Sequence, residues 1–157
     1  MPRRDMKRRD QIRLTPEEQR EFLETQQTIV LCTIDPRGYP HAVAMWYCVE
    51  DGAVLMTTYA KSQKVMNIRR DPKVALLVES GRTYDTLKGL MIRGRAEILE
   101  DLDLCVRVLT KIHEKGGGSV PPGVEEAMRE RARKRVVLRV RPERVASWDH
   151  SKLGGTY

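Results

Sequence analysis

Residues 54–78 read VLMTTYAKSQKVMNIRRDPKVALLV, and this stretch decides the fold. Residues 54–58 are β-prone and end on two hydroxyls, Thr57 and Thr58. Ser62 is placed to cap a helix whose first turn carries Gln63 and Lys64. Asp71-Pro72 stops that helix, because the residue before a proline is driven out of the helical region. Residues 73–78 resume as an apolar, β-branched strand. Thr57, Thr58, Ser62, Lys64 and Asn67 therefore gather where a strand hands over to a helix N-terminus. Free backbone N–H groups and the positive end of the helix dipole favour an anion there, and a phosphate-bearing ligand is the natural occupant. The same residues also suit a plain surface helix with a solvated lysine.

Working back toward the N-terminus, residues 40–49 alternate in period two. His41, Val43, Met45, Tyr47 and Val49 share one face; Ala42, Ala44, Trp46 and Cys48 share the other. Asp51-Gly52 centres a two-residue hairpin that leads into residue 54. Residues 28–34 form an earlier strand, closed by the turn Asp35-Pro36-Arg37-Gly38. Before it, Thr15-Pro16-Glu17-Glu18 has the cap, the proline and the glutamate of a helix start. Strand, turn, strand, hairpin, strand is the order of an antiparallel meander.

Downstream, residues 89–99 predict another strand, with Gly94 a bulge or bend. Leu102, Cys105, Val106, Leu109 and Ile112 recur at helical spacing over 102–115, behind Asp101. A glycine- and proline-rich break at 116–123 precedes a second, basic helix through Val124, Ala127, Met128 and Ala132. Strands at 136–140 and 145–148 flank Pro142. The whole predicts a mainly β, α+β fold: a six-stranded antiparallel split β-barrel with peripheral helices. Residues 1–13 form a basic arm expected to be mobile, 14–148 the barrel, and 149–157 a tail expected to need a partner surface.

The composition, 40% hydrophobic and 32% charged, is that of an ordinary globular chain of 157 residues. The apolar run 42–49 is too short to cross a bilayer. Of the net charge of +7, +4 lies in residues 1–13, which hold six basic residues and two acids. With so little charge excess in the body and no aromatic interleaving, a nucleic-acid role has little support. Cys32, Cys48 and Cys105 form no CxxC pair and read as reduced core residues of a cytoplasmic protein. His41, His113 and His150 lack metal-ligand spacing.

These elements, in this order, resemble the split-barrel proteins related to pyridoxamine 5'-phosphate oxidase, which bind FMN or the deazaflavin coenzyme F420. The residues carrying the likeness are Gly38-Tyr39-Pro40-His41 leading into AVAMWY, then KSQKVMNIRRDPKVALLV, then LMIRGRAEIL. The resemblance implies a homodimer with two cofactors at the subunit interface. It matches Ala42, Val43, Ala44 and Met45 to the strand whose backbone lies along the cofactor ring. Thr57 and Thr58 match the strand beside the ribityl chain and phosphate. Ser62 and Lys64 match the ends of the oxidase's Ser-Arg-Lys phosphate motif, where Gln63 replaces the arginine and removes a bidentate charge. Lys64 and Asn67 resemble the Lys-x-x-Asn of the F420-dependent branch. Lys88 matches a ring-edge position, and Trp148 a residue covering the partner subunit's cofactor.

The resemblance thus implies an oxidoreductase that passes a hydride from reduced F420, or alternatively FMN, to a small electron-poor organic substrate. No GxSxG motif or metal set competes with this. His41 and Tyr47 are the substrate-facing candidates, although an aromatic on an alternating strand is also ordinary core. Two other readings stay open: a barrel that carries flavin, haem or a lipid-like ligand without turnover, and a nucleic-acid-associated protein using its arm.

Overall fold

The computed structural model describes residues 6–155. A short helix, α1 (Arg8–Gln11), precedes α2 (Pro16–Thr25). Thr15 caps α2: its hydroxyl accepts from the Glu18 N–H at 3.2 Å, and the Glu18 carboxylate accepts from the Thr15 N–H at 2.8 Å. The meander follows as β1 (Thr28–Ile34), β2 (Pro40–Trp46), β3 (Cys48–Glu50) and β4 (Ala53–Tyr59). Then come α3 (Gln63–Arg70), β5 (Lys73–Ser80), β6 (Lys88–Leu99), α4 (Leu102–Lys115), α5 (Val124–Ala132) and β7 (Arg135–Asp149).

The strands number seven rather than six because the alternating run 40–49 breaks at Tyr47. All strand pairings are antiparallel, in the order β2-β1-β5-β6-β7-β4-β3. The two edge strands are therefore neighbours in sequence, joined through Tyr47 alone, and that link makes the sheet curl into a barrel. Tyr47 turns fully inward, and its hydroxyl donates to the Leu23 carbonyl at 2.7 Å. Lys115 donates to the same carbonyl at 3.0 Å and holds its ammonium 3.6 Å from the Tyr47 ring centre.

Two apolar clusters fill the fold. Ile29, Leu31, Met56, Leu76, Ile92 and Leu138 lie inside the barrel. Leu55, Cys105, Val108, Ile112, Met128 and Val137 fill a second cluster, where α4 and α5 cover the other face of β4 and β7. Strand β4 is consequently buried on both faces from Ala53 to Thr58. The Asp51-Gly52 hairpin takes positive φ at both residues, 52° and 75°, as a primed turn requires.

Residues 136–140 and 145–148 belong to one strand, β7, because Pro142 sits at a register shift opposite Gly94. A Cβ on Gly94 would lie 2.5 Å from the Arg141 carbonyl oxygen, so the bulge depends on glycine there.

The termini differ from expectation. Residues 1–5 of the basic arm lie outside the described residues, and its last two residues, Ile12 and Arg13, are bonded to the C-terminal segment. The Ile12 carbonyl accepts from the Asp149 N–H at 2.7 Å, the Leu14 N–H donates to Ser147 at 3.0 Å, and Leu14 is buried. The tail forms a 3-10 turn, His150–Leu153, held by its own chain. Lys152 reaches the Arg13 carbonyl at 2.7 Å and Glu18 at 2.6 Å, while the His150 N–H donates to Leu87 at 2.9 Å. Each segment satisfies the other's backbone, which the sequence pattern alone does not display. No described helix is long and apolar enough to cross a membrane.

Replacing Tyr47 tests the closure. Tyr47→Phe should cost only about 0.5–1 kcal/mol, because Lys115 still satisfies the Leu23 carbonyl. Tyr47→Ala should cost about 3–5 kcal/mol by emptying the barrel's closing point. Denaturant unfolding of both variants measures the two values; equal costs would show that packing contributes nothing beyond the hydroxyl.

Candidate functional site

The start of α3 is fixed by a tight turn out of β4. The Ser62 N–H donates to the Tyr59 carbonyl at 3.0 Å, and the Ala60 N–H donates to Lys134 at 2.9 Å. Ser62 has the extended backbone of a cap, but its hydroxyl takes no bond from the helix. It accepts instead from the Thr58 hydroxyl at 3.4 Å. The first turn of α3 is thus left without a side-chain cap, with its N–H groups and dipole directed outward.

Lys64 lies half-buried in that first turn and has no ion pair among the described residues. Burial, and then the charge of Arg135, hold its ammonium below the ordinary lysine pKa. Arg135 carries no signal in the sequence. It opens β7 directly opposite Tyr59, and only the β4–β7 register reveals that position. Its Nη1 donates to the Thr57 hydroxyl and carbonyl at 3.3 and 3.4 Å, and its guanidinium lies 4.5 Å from the Tyr59 ring centre.

Two expected site residues turn inward. Asn67 is fully buried: its amide donates to Thr33 at 3.0 Å and accepts from Gln63 at 2.8 Å. It braces α3 against β1 from a buried position. Tyr47 is likewise not substrate-facing, because the chain bends there and commits its ring to the core. His41 remains half-buried, Cα-paired with Thr33, and its Nδ1 is buried without a hydrogen-bond partner among the described residues.

Strand β2 pairs with β1, the strand that Asn67 of α3 bonds, and its second backbone edge is open among the described residues. Val43 and Met45 pack on the barrel core, whereas Ala42, Ala44 and Trp46 face outward. Lys88 and Trp148 lie elsewhere. Trp148 rests on Gly89, where a Cβ would come 2.1 Å from its ring, and Lys88 holds its ammonium 4.9 Å from the Phe22 ring centre. From Arg135 to Trp148 runs on the order of 40 Å of strand. One protomer therefore gathers Thr57, Thr58, Ser62, Lys64 and Arg135, but not Lys88 or Trp148. Arg69, Arg70 and Lys73 sit at the far end of α3, where Arg69 pairs with Glu100 and Arg70 donates to the Ile34 carbonyl.

The described residues contain no His/Cys/Asp/Glu group fit for a metal. Cys48 and Cys105 are buried, and burial raises both thiols, Cys48 to about 11, so neither is an activated nucleophile. What the site presents is a helix start without a side-chain cap, with two half-buried cations near it, in a sheet whose β2 edge is open.

No curated protein matches the chain. Among solved structures, a conserved hypothetical protein from Mycobacterium tuberculosis is 41% identical, with a TM-score of 0.89, over 97% of this chain and 95% of that one. An F420 reductase is 28% identical, with a TM-score of 0.65, over 83% of this chain and 98% of that one. A haem-storage protein from Vibrio cholerae shares the fold at 18% identity and a TM-score of 0.66, over 89% of this chain and 99% of that one. The family model described as pyridoxamine 5'-phosphate oxidase matches residues 15–149. That span takes in every strand and the uncapped helix, and the chain belongs to this family.

Proposed function

We propose that the protein is an oxidoreductase that binds coenzyme F420, with FMN as the alternative, and acts on a small electron-poor organic substrate. The observation that carries this is the uncapped start of α3, where Lys64, without an ion pair among the described residues, stands in the first turn after the bonded Thr58 and Ser62 hydroxyls. These groups fit a phosphate ester followed by a flat ring. Ser62, Lys64 and the α3 N–H groups would hold the phosphate, with Thr57 and Thr58 behind it. The backbone of residues 42–45 would lie along the ring, where Ala42 and Ala44 keep the outer surface low. When bound, the cofactor supplies the hydride that the side chains here cannot. His41, whose Nδ1 lacks a partner, is the nearest candidate for touching substrate or moving a proton. The family likeness to an F420 reductase supports the deazaflavin; Gln63 in place of a fixed charge points the same way.

The active unit in this reading is a homodimer. The face of β2, β1, β5 and β6 away from the core carries Trp46, 59% exposed, with Ala42, Ala44, Cys32, Leu77 and Met91. A second copy laid there would cover this apolar surface and could bring its Lys88 and Trp148 to the first copy's cofactor. Sedimentation at micromolar concentration should give a dimer; a monomer with full cofactor affinity would remove the partner's side chains from the site.

Lys64→Ala should weaken cofactor binding about ten- to a hundredfold, the worth of one charge-assisted phosphate bond. Lys73→Ala, exposed on β5, should leave FMN affinity unchanged. Fluorescence titration of both variants compares them, and equal effects would return Lys64 to the solvated surface.

The two cofactors separate by charge. F420 carries an oligoglutamate tail beyond its phosphate, so its affinity should rise with tail length and fall with salt. Titrations at two ionic strengths read this out. Tighter, salt-insensitive binding of FMN would make this a flavin protein, and a Soret band on adding haem, without binding of either ring cofactor, would favour the haem-carrying reading.

A further inference from the structure

We propose that Arg135 is the second cation of the phosphate seat, supplying from the start of β7 the charge that Gln63 omits from α3. The proposal rests on the cofactor reading above but concerns a residue outside its motif. Arg135 and Lys64 are both half-buried, and neither has a carboxylate partner among the described residues. Arg133, two residues earlier, does have one, in Glu130. Arg135 pairs with Tyr59, whose carbonyl accepts the Ser62 N–H, so two half-buried like charges flank one turn, and an anion held by both relieves their repulsion. The guanidinium is also under-used. Among the described residues only Nη1 bonds to protein, at 3.3 and 3.4 Å to Thr57, while Nε is buried with no acceptor there. A planar five-donor group in this state is suited to a phosphate, which accepts its fork in two parallel bonds. Its placement is rigid, set by the pairing of Tyr59 with Arg135 and by the tyrosine ring beneath it. The ligand class is a phosphate ester, common to FMN and F420.

The test compares wild type, Arg135→Gln and Arg135→Lys in three measurements: affinity for FMN and for F420, melting temperature of the ligand-free protein, and the shift in melting temperature on adding inorganic phosphate. Arg135→Gln should lose about ten- to a hundredfold in affinity for whichever cofactor binds, and lose the phosphate shift. Its ligand-free melting temperature should stay level or rise, since one repelling charge is gone. Arg135→Lys should fall between, keeping the charge without the fork. Unchanged cofactor affinity and phosphate shift in Arg135→Gln would overturn the proposal. So would a lower ligand-free melting temperature with the phosphate shift retained, which marks a mere brace for Thr57. Should Arg135→Gln fail to fold, Arg135→Lys decides, with wild-type affinity again overturning the proposal. If neither cofactor binds wild type yet phosphate stabilises it and not Arg135→Gln, the seat stands and the cofactor reading falls. If the cofactor binds wild type and Arg135→Gln alike, the cofactor reading stands and the seat falls.

Discussion

The bond from the Tyr47 hydroxyl to the Leu23 carbonyl joins three parts of the molecule at one point. A seven-stranded sheet has two edges, and here both belong to one run of eleven residues bent at Tyr47. An inward ring at the bend, tied to the end of α2 and covered by Lys115 of α4, stops the two edges from separating. The ammonium over that ring lies in a poorly hydrated place, and burial lowers its pKa to about 8. Closure also explains why β2 can keep one backbone edge open: its stability comes from β1 on one side and the Tyr47 anchor at its end.

The candidate site follows from what the barrel leaves unsatisfied. Thr15 and Asp101 cap α2 and α4 with their side chains, whereas α1, α3 and α5 start without a side-chain cap. Ser62 stands at the corresponding position of α3 and bonds elsewhere. The donors left over face the same region as Lys64, whose own charge is raised in energy by burial. Asn67 keeps this helix in place from beneath, spending its amide on Thr33 and Gln63. One short helix thus combines an uncapped start carrying Lys64 with a bracing Asn67 three residues on.

Much of this was legible in the sequence, and what was not has definite causes. The capping box at Thr15, the Asp51-Gly52 turn and the Gly94 bulge are local signals, and local geometry honours them. Alternation through residues 40–49 marked the correct faces of β2, but period-two patterning has no symbol for a bend, so Tyr47 read as a strand residue like its neighbours. The burial of Asn67 was not legible because spacing says which face a residue shares and not how deep that face lies. Arg135 was invisible for a different reason: it meets Thr57 through a pairing 78 positions apart in the chain. The docking of residues 12–14 onto residues 147–152 is equally non-local.

The chain has only two tryptophans, and the fold sets them in contrasting places. Trp46 stands in solvent on the uncovered sheet face, while Trp148 lies flat in the notch left by a glycine. Intrinsic emission from this protein therefore comes from two indoles with different surroundings, one wet and one sheltered. Association through the sheet face would dry the first and shift its emission to shorter wavelength, whereas a change at the end of β6 would register in the second. The molecule carries its own pair of optical reporters, and no label is needed to tell those two events apart.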